Sequence, residues 1–147
     1  MKPLASYAAA MSVTTATPAR ETAIRAGLGA LGATSLAIAA FQAIDPASFV
    51  EHIGPFGTAS GHYLRDLATW AAAYGVCLLV AIHRPAWRLP VLAVGIVQGA
   101  LHLINHVADA GNADPVSTGI ADAVLLAAVL AVTVWLYLAV RETEVSR

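Results

Sequence analysis

Residues 119–140 read GIADAVLLAAVLAVTVWLYLAV, an apolar run in which Asp122 is the single charged residue. A helix needs about 20 mostly apolar residues to cross the hydrocarbon core of a bilayer. Backbone groups in lipid must find their hydrogen bonds within the protein, so a run of this kind predicts a transmembrane helix. A span is therefore predicted over residues 116–140.

Three more apolar stretches precede this one, and the composition agrees with a membrane protein. The chain has 147 residues, of which 59% are hydrophobic and 12% charged, whereas about 25% are charged in soluble domains. The pattern predicts an all-α integral membrane four-helix bundle with up-down-up-down topology. The other predicted spans cover residues 23–44, 62–83 and 88–109, with an outer loop over 45–61 and tails over 1–20 and 142–147.

The distribution of Lys and Arg predicts the orientation, because these residues concentrate in cytoplasmic loops. Both termini and the loop between the second and third spans are therefore predicted to be cytoplasmic, with residues 1–20 as a retained tail. The Ala-rich, Arg-over-Lys composition is typical of a GC-rich bacterium, which predicts the plasma (inner) membrane as the location. The net charge of −1 and the lack of a basic patch argue against nucleic acid as a partner. The residues that decide the orientation are Lys2, Arg20, Arg25, Arg84, Arg88, Arg141 and Arg147, against Arg65 alone in the outer segments.

The loop over residues 45–61 is long for a bundle connection. Asp45-Pro46 predicts a short helix that runs to about Ile53, since Asp caps a helix and Pro suits its first turn. Two interpretations of this loop stay open: a lid over the outer mouth of the bundle, or apolar packing on the bilayer surface. Asp114-Pro115 predicts the start of the last helix in the same way.

The third span carries a polar face. Gln98, His102, Asn105, His106 and Asp109 all fall within an arc of about 100° when residues are rotated at the helical period. Polar side chains in a bilayer are costly unless they are buried, paired or wet. The face therefore predicts a functional or structural site.

The second span supplies a matching face. His62 and Asp66 are spaced i, i+4, and such residues are neighbours on a helix surface. A hairpin that turns near Pro85 places His62 level with Asp109, Asp66 level with His106, and Thr69 level with His102. Asp122 and Gln42 fall near the same depth on the other two spans. The six candidate site residues are His62, Asp66, His102, His106, Asp109 and Asp122.

Imidazole and carboxylate groups together suit a divalent transition metal such as zinc, iron or copper. His102 and His106 are spaced to bind one ion from a single helix. The facing helix would complete the shell, and spare carboxylates would orient the imidazoles. This predicts a redox or hydrolytic metal site. If the protein is an enzyme, its substrate would be apolar and would arrive from the lipid bilayer.

Three other interpretations stay open. The first is a b-type haem held by His62 together with His102 or His106. The second is a proton relay, since intramembrane Asp and His chains serve that role. The third is a non-catalytic subunit in which the polar cluster fixes helix packing. That subunit would act as a homo-oligomer or in a larger membrane complex. Gly95 and Gly99 mark either a contact within the bundle or a dimer face.

Overall fold

The computed structural model describes residues 17–57 and 60–145, with side chains as far as Thr143. The predicted tail over residues 1–20 lies mostly outside the described residues. In the described part the chain forms five α-helices and no strand. The helices are α1 (Pro18–Ile44), α2 (Pro46–His52), α3 (Gly61–His83), α4 (Arg88–Asp109) and α5 (Val116–Val145), with 3₁₀ turns at Pro85–Trp87 and Ala110–Asn112.

Helices α1, α3, α4 and α5 are long and apolar enough to cross a membrane, which indicates a multi-pass membrane protein. The third predicted span, 88–109, coincides with α4. The first span begins earlier than predicted, at Pro18, because the Thr17 side chain caps the helix by accepting a hydrogen bond from the Arg20 backbone N–H. The last helix begins at Val116, just after the predicted start at Pro115.

The four spanning helices form an up-down-up-down bundle, as predicted. Helix α1 packs along α3 and α4 packs along α5, while α3 also contacts α4 and α5 also contacts α1. Within the described residues the backbones of the diagonal pairs, α1 with α4 and α3 with α5, do not approach each other closely. The end of the bundle at which α1 begins and α5 ends is called the inner end, and the opposite end is called the outer end.

The best-packed core lies towards the inner end. Its fully buried side chains come from all four spanning helices, so each helix contributes to one apolar cluster. The outer half of α4 is more exposed, and Leu101 and Ile104 are 60% and 63% accessible there. The main apolar cluster therefore lies at the inner end, and the outer half of α4 is largely exposed. The fully buried core residues are Ile24, Leu28, Leu78, Leu92 and Leu136, with Ala81 and Val140 beside them.

Glycines permit the close helix contacts. A Cβ atom at Gly75 would lie 3.0 Å from the Gly32 carbonyl oxygen, so α1 and α3 touch through their backbones. A Cβ at Gly95 would overlap the Tyr74 hydroxyl of α3, and one at Gly99 would lie 3.4 Å from Leu130 of α5. Gly95 and Gly99 therefore mark contacts within the bundle, the first of the two interpretations left open by the sequence.

An ion pair between buried Arg88 and half-buried Glu21 ties three helices together at the inner end. Arg88 of α4 is only 4% exposed, and its guanidinium donates two hydrogen bonds to the Glu21 carboxylate of α1, at 2.9 and 2.7 Å. It also donates to the carbonyl oxygens of Ala81 and Ile82 on α3, both at 3.2 Å. We call Arg88, Glu21 and these two carbonyls the inner clamp.

Candidate functional site

His62 and Asp66 lie at the outer end of α3 and face away from the core. The His62 Nε2 atom is 3.4 Å from the Asp66 Oδ2 atom, and both side chains are exposed. The i, i+4 spacing therefore brings the two together as predicted, at the rim of the bundle. No other described residue forms an ion pair with either of them.

His102 and His106 are neighbours on successive turns of α4. Their rings meet edge to face, with centroids 4.6 Å apart. His102 is exposed, whereas His106 is half-buried and the Phe56 ring packs edge-on against it at 5.0 Å. The His106 Nδ1 atom is buried and has no hydrogen-bond partner among the described residues.

Asp122 lies on α5, near enough to His106 for a Coulombic interaction between them. Its side chain is half-buried, and its Oδ2 atom is buried without a hydrogen-bond partner in the described part of the chain. We call His102, His106 and Asp122 the His–Asp cluster. Asp109, at the end of α4, is exposed and accepts a hydrogen bond from the Asn112 side chain at 3.1 Å.

Of the six predicted site residues, the structure therefore brings together the His–Asp cluster and, separately, the His62–Asp66 pair. In residues 17–57 and 60–145 no group of three or more His, Cys, Asp or Glu side chains is placed to hold a metal ion. Metal or haem binding stays a prediction.

A groove separates α3 from the outer half of α4. Tyr74 of α3 reaches Gly95 of α4, and one turn further out Trp70, which is 49% exposed, lines the groove. The groove is open along one side and has a volume of about 590 Å³. Its lining residues are Trp70, Ala93, Val94, Val97, Gln98, Leu101, His102 and Asn105.

Three polar side chains stand in this otherwise apolar groove: Gln98, His102 and Asn105. None has a hydrogen-bond partner among the described residues. The lining contains no Arg, Lys, Asp or Glu. The groove therefore offers hydrogen bonds without offering a fixed charge.

The loop over residues 45–61 packs onto the outer end of the bundle. Hydrogen bonds from the Ser48 side chain and backbone lower the pKa of Asp45, the cap of α2, which keeps the carboxyl ionised. Phe49 is buried against Phe41 of α1, with ring centroids 5.6 Å apart. Phe56 then reaches His106, so this loop covers part of the His–Asp cluster.

Sequence reasoning included the polar face of α4 but missed two aromatic neighbours of the site. Trp70 follows Asp66 by four residues and therefore shares its helix face, a signal that would have placed it opposite His102. The contact of Phe56 with His106 joins two segments that are distant in sequence. No local pattern indicates it.

The chain matches no protein-family model, no curated protein and no solved structure.

Proposed function

We propose that this protein binds a small, uncharged, lipid-soluble molecule in the groove between α3 and α4. The observation that carries this proposal is the groove itself, which combines an apolar lining with Gln98, His102 and Asn105. We further propose that the protein does this in a bacterial plasma membrane, as its composition and arginine distribution predict.

The polar side chains argue that the groove holds a ligand with hydrogen-bonding groups. An amide or imidazole that faces hydrocarbon without a partner loses several kcal/mol relative to water. A bound carbonyl or hydroxyl group would supply the partners that Gln98, His102 and Asn105 lack among the described residues. The absence of charged groups from the lining disfavours a phosphate or carboxylate ligand.

The His–Asp cluster adjoins the groove through His102, which belongs to both. His102 lines the groove, and its ring rests on His106. His106 is in turn held by Phe56 of the outer loop and lies near Asp122. We assign these residues a positioning role, in which they hold the His102 ring towards the ligand.

Replacing Val97 with Trp is expected to fill the groove and lower ligand binding at least about tenfold, or 1.4 kcal/mol. Val97 lines the groove and is 61% exposed, so a larger side chain fits there without disturbing the core. The measurement is photolabelling in liposomes with a diazirine-bearing fatty alcohol, followed by mass spectrometry of the labelled peptides. Labels should concentrate on residues 93–105 in the unmodified protein.

Val132→Trp is the matched control, because Val132 is exposed on α5 and lies outside the groove lining. Labelling of residues 93–105 should persist in this variant. Equal labelling of all four spanning helices, or no change in Val97→Trp, would show that the groove is not a binding site.

A second candidate function is the metal site predicted from the sequence. The contact between the His102 and His106 rings, with Asp122 nearby, favours it. Zinc, iron or copper would require imidazole nitrogens about 2.0–2.1 Å from the ion, so these side chains would have to rotate around it. His62, Asp66 and Asp109 would have to contribute from the rim, from which no described contact reaches the cluster.

Elemental analysis of the purified protein tests the metal hypothesis. A metal site predicts about one transition-metal ion per chain and its loss in the double variant His102→Ala/His106→Ala. His83→Ala is the control, since His83 lies at the inner end of α3. A Soret band would instead support haem. Background metal content in the unmodified protein, with no Soret band, would contradict both.

A further inference from the structure

We propose that the ligand of the groove is a quinone-like molecule, a six-membered ring with oxygen atoms on opposite edges and an apolar tail. This inference rests on the proposed function and narrows the ligand to one chemical class. Three observations carry it: the spacing of the polar side chains, their hydrogen-bonding character, and the position of Trp70.

The polar side chains form a line along α4. Gln98 and His102 are four residues apart, and Asn105 follows three residues later. A helix rises 1.5 Å per residue, so the rise is about 6 Å from Gln98 to His102 and about 4.5 Å from His102 to Asn105. A ring that lies along the helix with one oxygen towards each end can therefore reach two of these groups at once. A single alcohol or amide head would reach fewer of the three polar groups and leave more of them unpaired.

All three groups can donate a hydrogen bond. Gln98 and Asn105 each carry a side-chain NH₂ group, and the neutral imidazole of His102 carries one N–H. Carbonyl oxygens are pure acceptors and match this set of donors. The groove therefore fits a ligand with two carbonyl groups better than one with charged or purely donating groups.

The remaining lining suits a flat ring and a hydrocarbon tail. Trp70 of α3 lines the same groove as the polar side chains, and an aromatic side chain favours offset stacking against a planar ring. Val94, Val97 and Leu101 supply aliphatic contacts beside it. Since the outer part of α4 is exposed rather than covered by another helix, the tail can extend into the lipid.

The test uses Trp70 as a fluorescent reporter. The chain has three tryptophans, and the variant Trp87→Phe/Trp135→Phe leaves Trp70 alone. We expect a decyl-substituted benzoquinone in nanodiscs to quench Trp70 with a saturable titration. The further change Gln98→Leu/Asn105→Leu should weaken the apparent affinity at least about tenfold. Both positions are exposed on the lipid side, so leucine is compatible with folding there.

The matched control keeps Trp135 alone, through Trp70→Phe and Trp87→Phe. Trp135 is exposed on α5, outside the groove lining, and should show only linear quenching by quinone dissolved in the bilayer. A saturable response of Trp70 that depends on Gln98 and Asn105 supports the inference.

The outcomes also separate this inference from the proposed function. If the diazirine alcohol labels the groove but quinone neither saturates Trp70 quenching nor displaces the label, the quinone inference fails and the groove function stands. If neither probe binds, both fail. If the groove is instead protected by a second copy of the chain, seen as cross-linked dimers through α4, both fail as well.

Discussion

Replacing Arg88 with Met is expected to lower the free energy of unfolding by about 2 kcal/mol, because a guanidinium that is only 4% exposed loses charge-assisted hydrogen bonds worth about 1.5–3 kcal/mol each. The substitution removes both hydrogen bonds to Glu21 and those to the Ala81 and Ile82 carbonyl oxygens. Glu21 keeps Arg25 as a partner at 2.6 Å, which places the expected cost at the lower end of the range. Equilibrium unfolding in mixed detergent micelles, followed by tryptophan fluorescence, measures it.

Arg84→Met is the matched control for this effect. Arg84 lies four residues from Arg88, is exposed, and forms no side-chain hydrogen bond or ion pair with a described residue. Its substitution should change the free energy of unfolding by less than about 0.5 kcal/mol. The double variant Glu21→Leu/Arg88→Met should recover part of the loss, because no carboxylate then faces the apolar side chain at position 88. Equal free energies of unfolding for Arg88→Met and Arg84→Met would contradict the stabilising role of the inner clamp.

Replacing Gly119 with Ala is expected to lower the free energy of unfolding by about 2 kcal/mol through overpacking. Gly119 is buried on the first turns of α5, against the turn that follows α4. An added Cβ would lie 2.5 Å from the Ala110 carbonyl oxygen and 2.8 Å from the Ala113 Cβ. These are backbone and short side-chain atoms that cannot rotate away, so the helix or the turn must move.

Gly111→Ala provides the control in the same turn. A Cβ at Gly111 meets no atom within 4 Å, so this variant should unfold within about 0.5 kcal/mol of the unmodified protein. The same micelle titration reports both variants. If Gly119→Ala and Gly111→Ala have the same free energy of unfolding, the close contact between α5 and the Ala110–Asn112 turn is contradicted.

The sequence predicts the polar face of α4, but it does not predict the ion pair that Arg88 forms. The polar face of α4 was predicted from periodicity, and the structure places Gln98, His102 and Asn105 together along one groove. The partner of Arg88 was not predicted. Its partner Glu21 lies 67 positions away in the chain, so no local pattern indicates the pair.

The length and apolar character of four segments determined the helices and their alternating directions. As a result, α1 begins and α5 ends at the same end of the bundle. This follows from a local requirement, since each backbone group in lipid must bond within its own helix. The tertiary structure alone decided which polar residues meet. The distances between those polar residues depend on how closely the helices approach each other, as at Gly32 and Gly75, and on where a groove opens beside α4. Packing between side chains distant in sequence sets both.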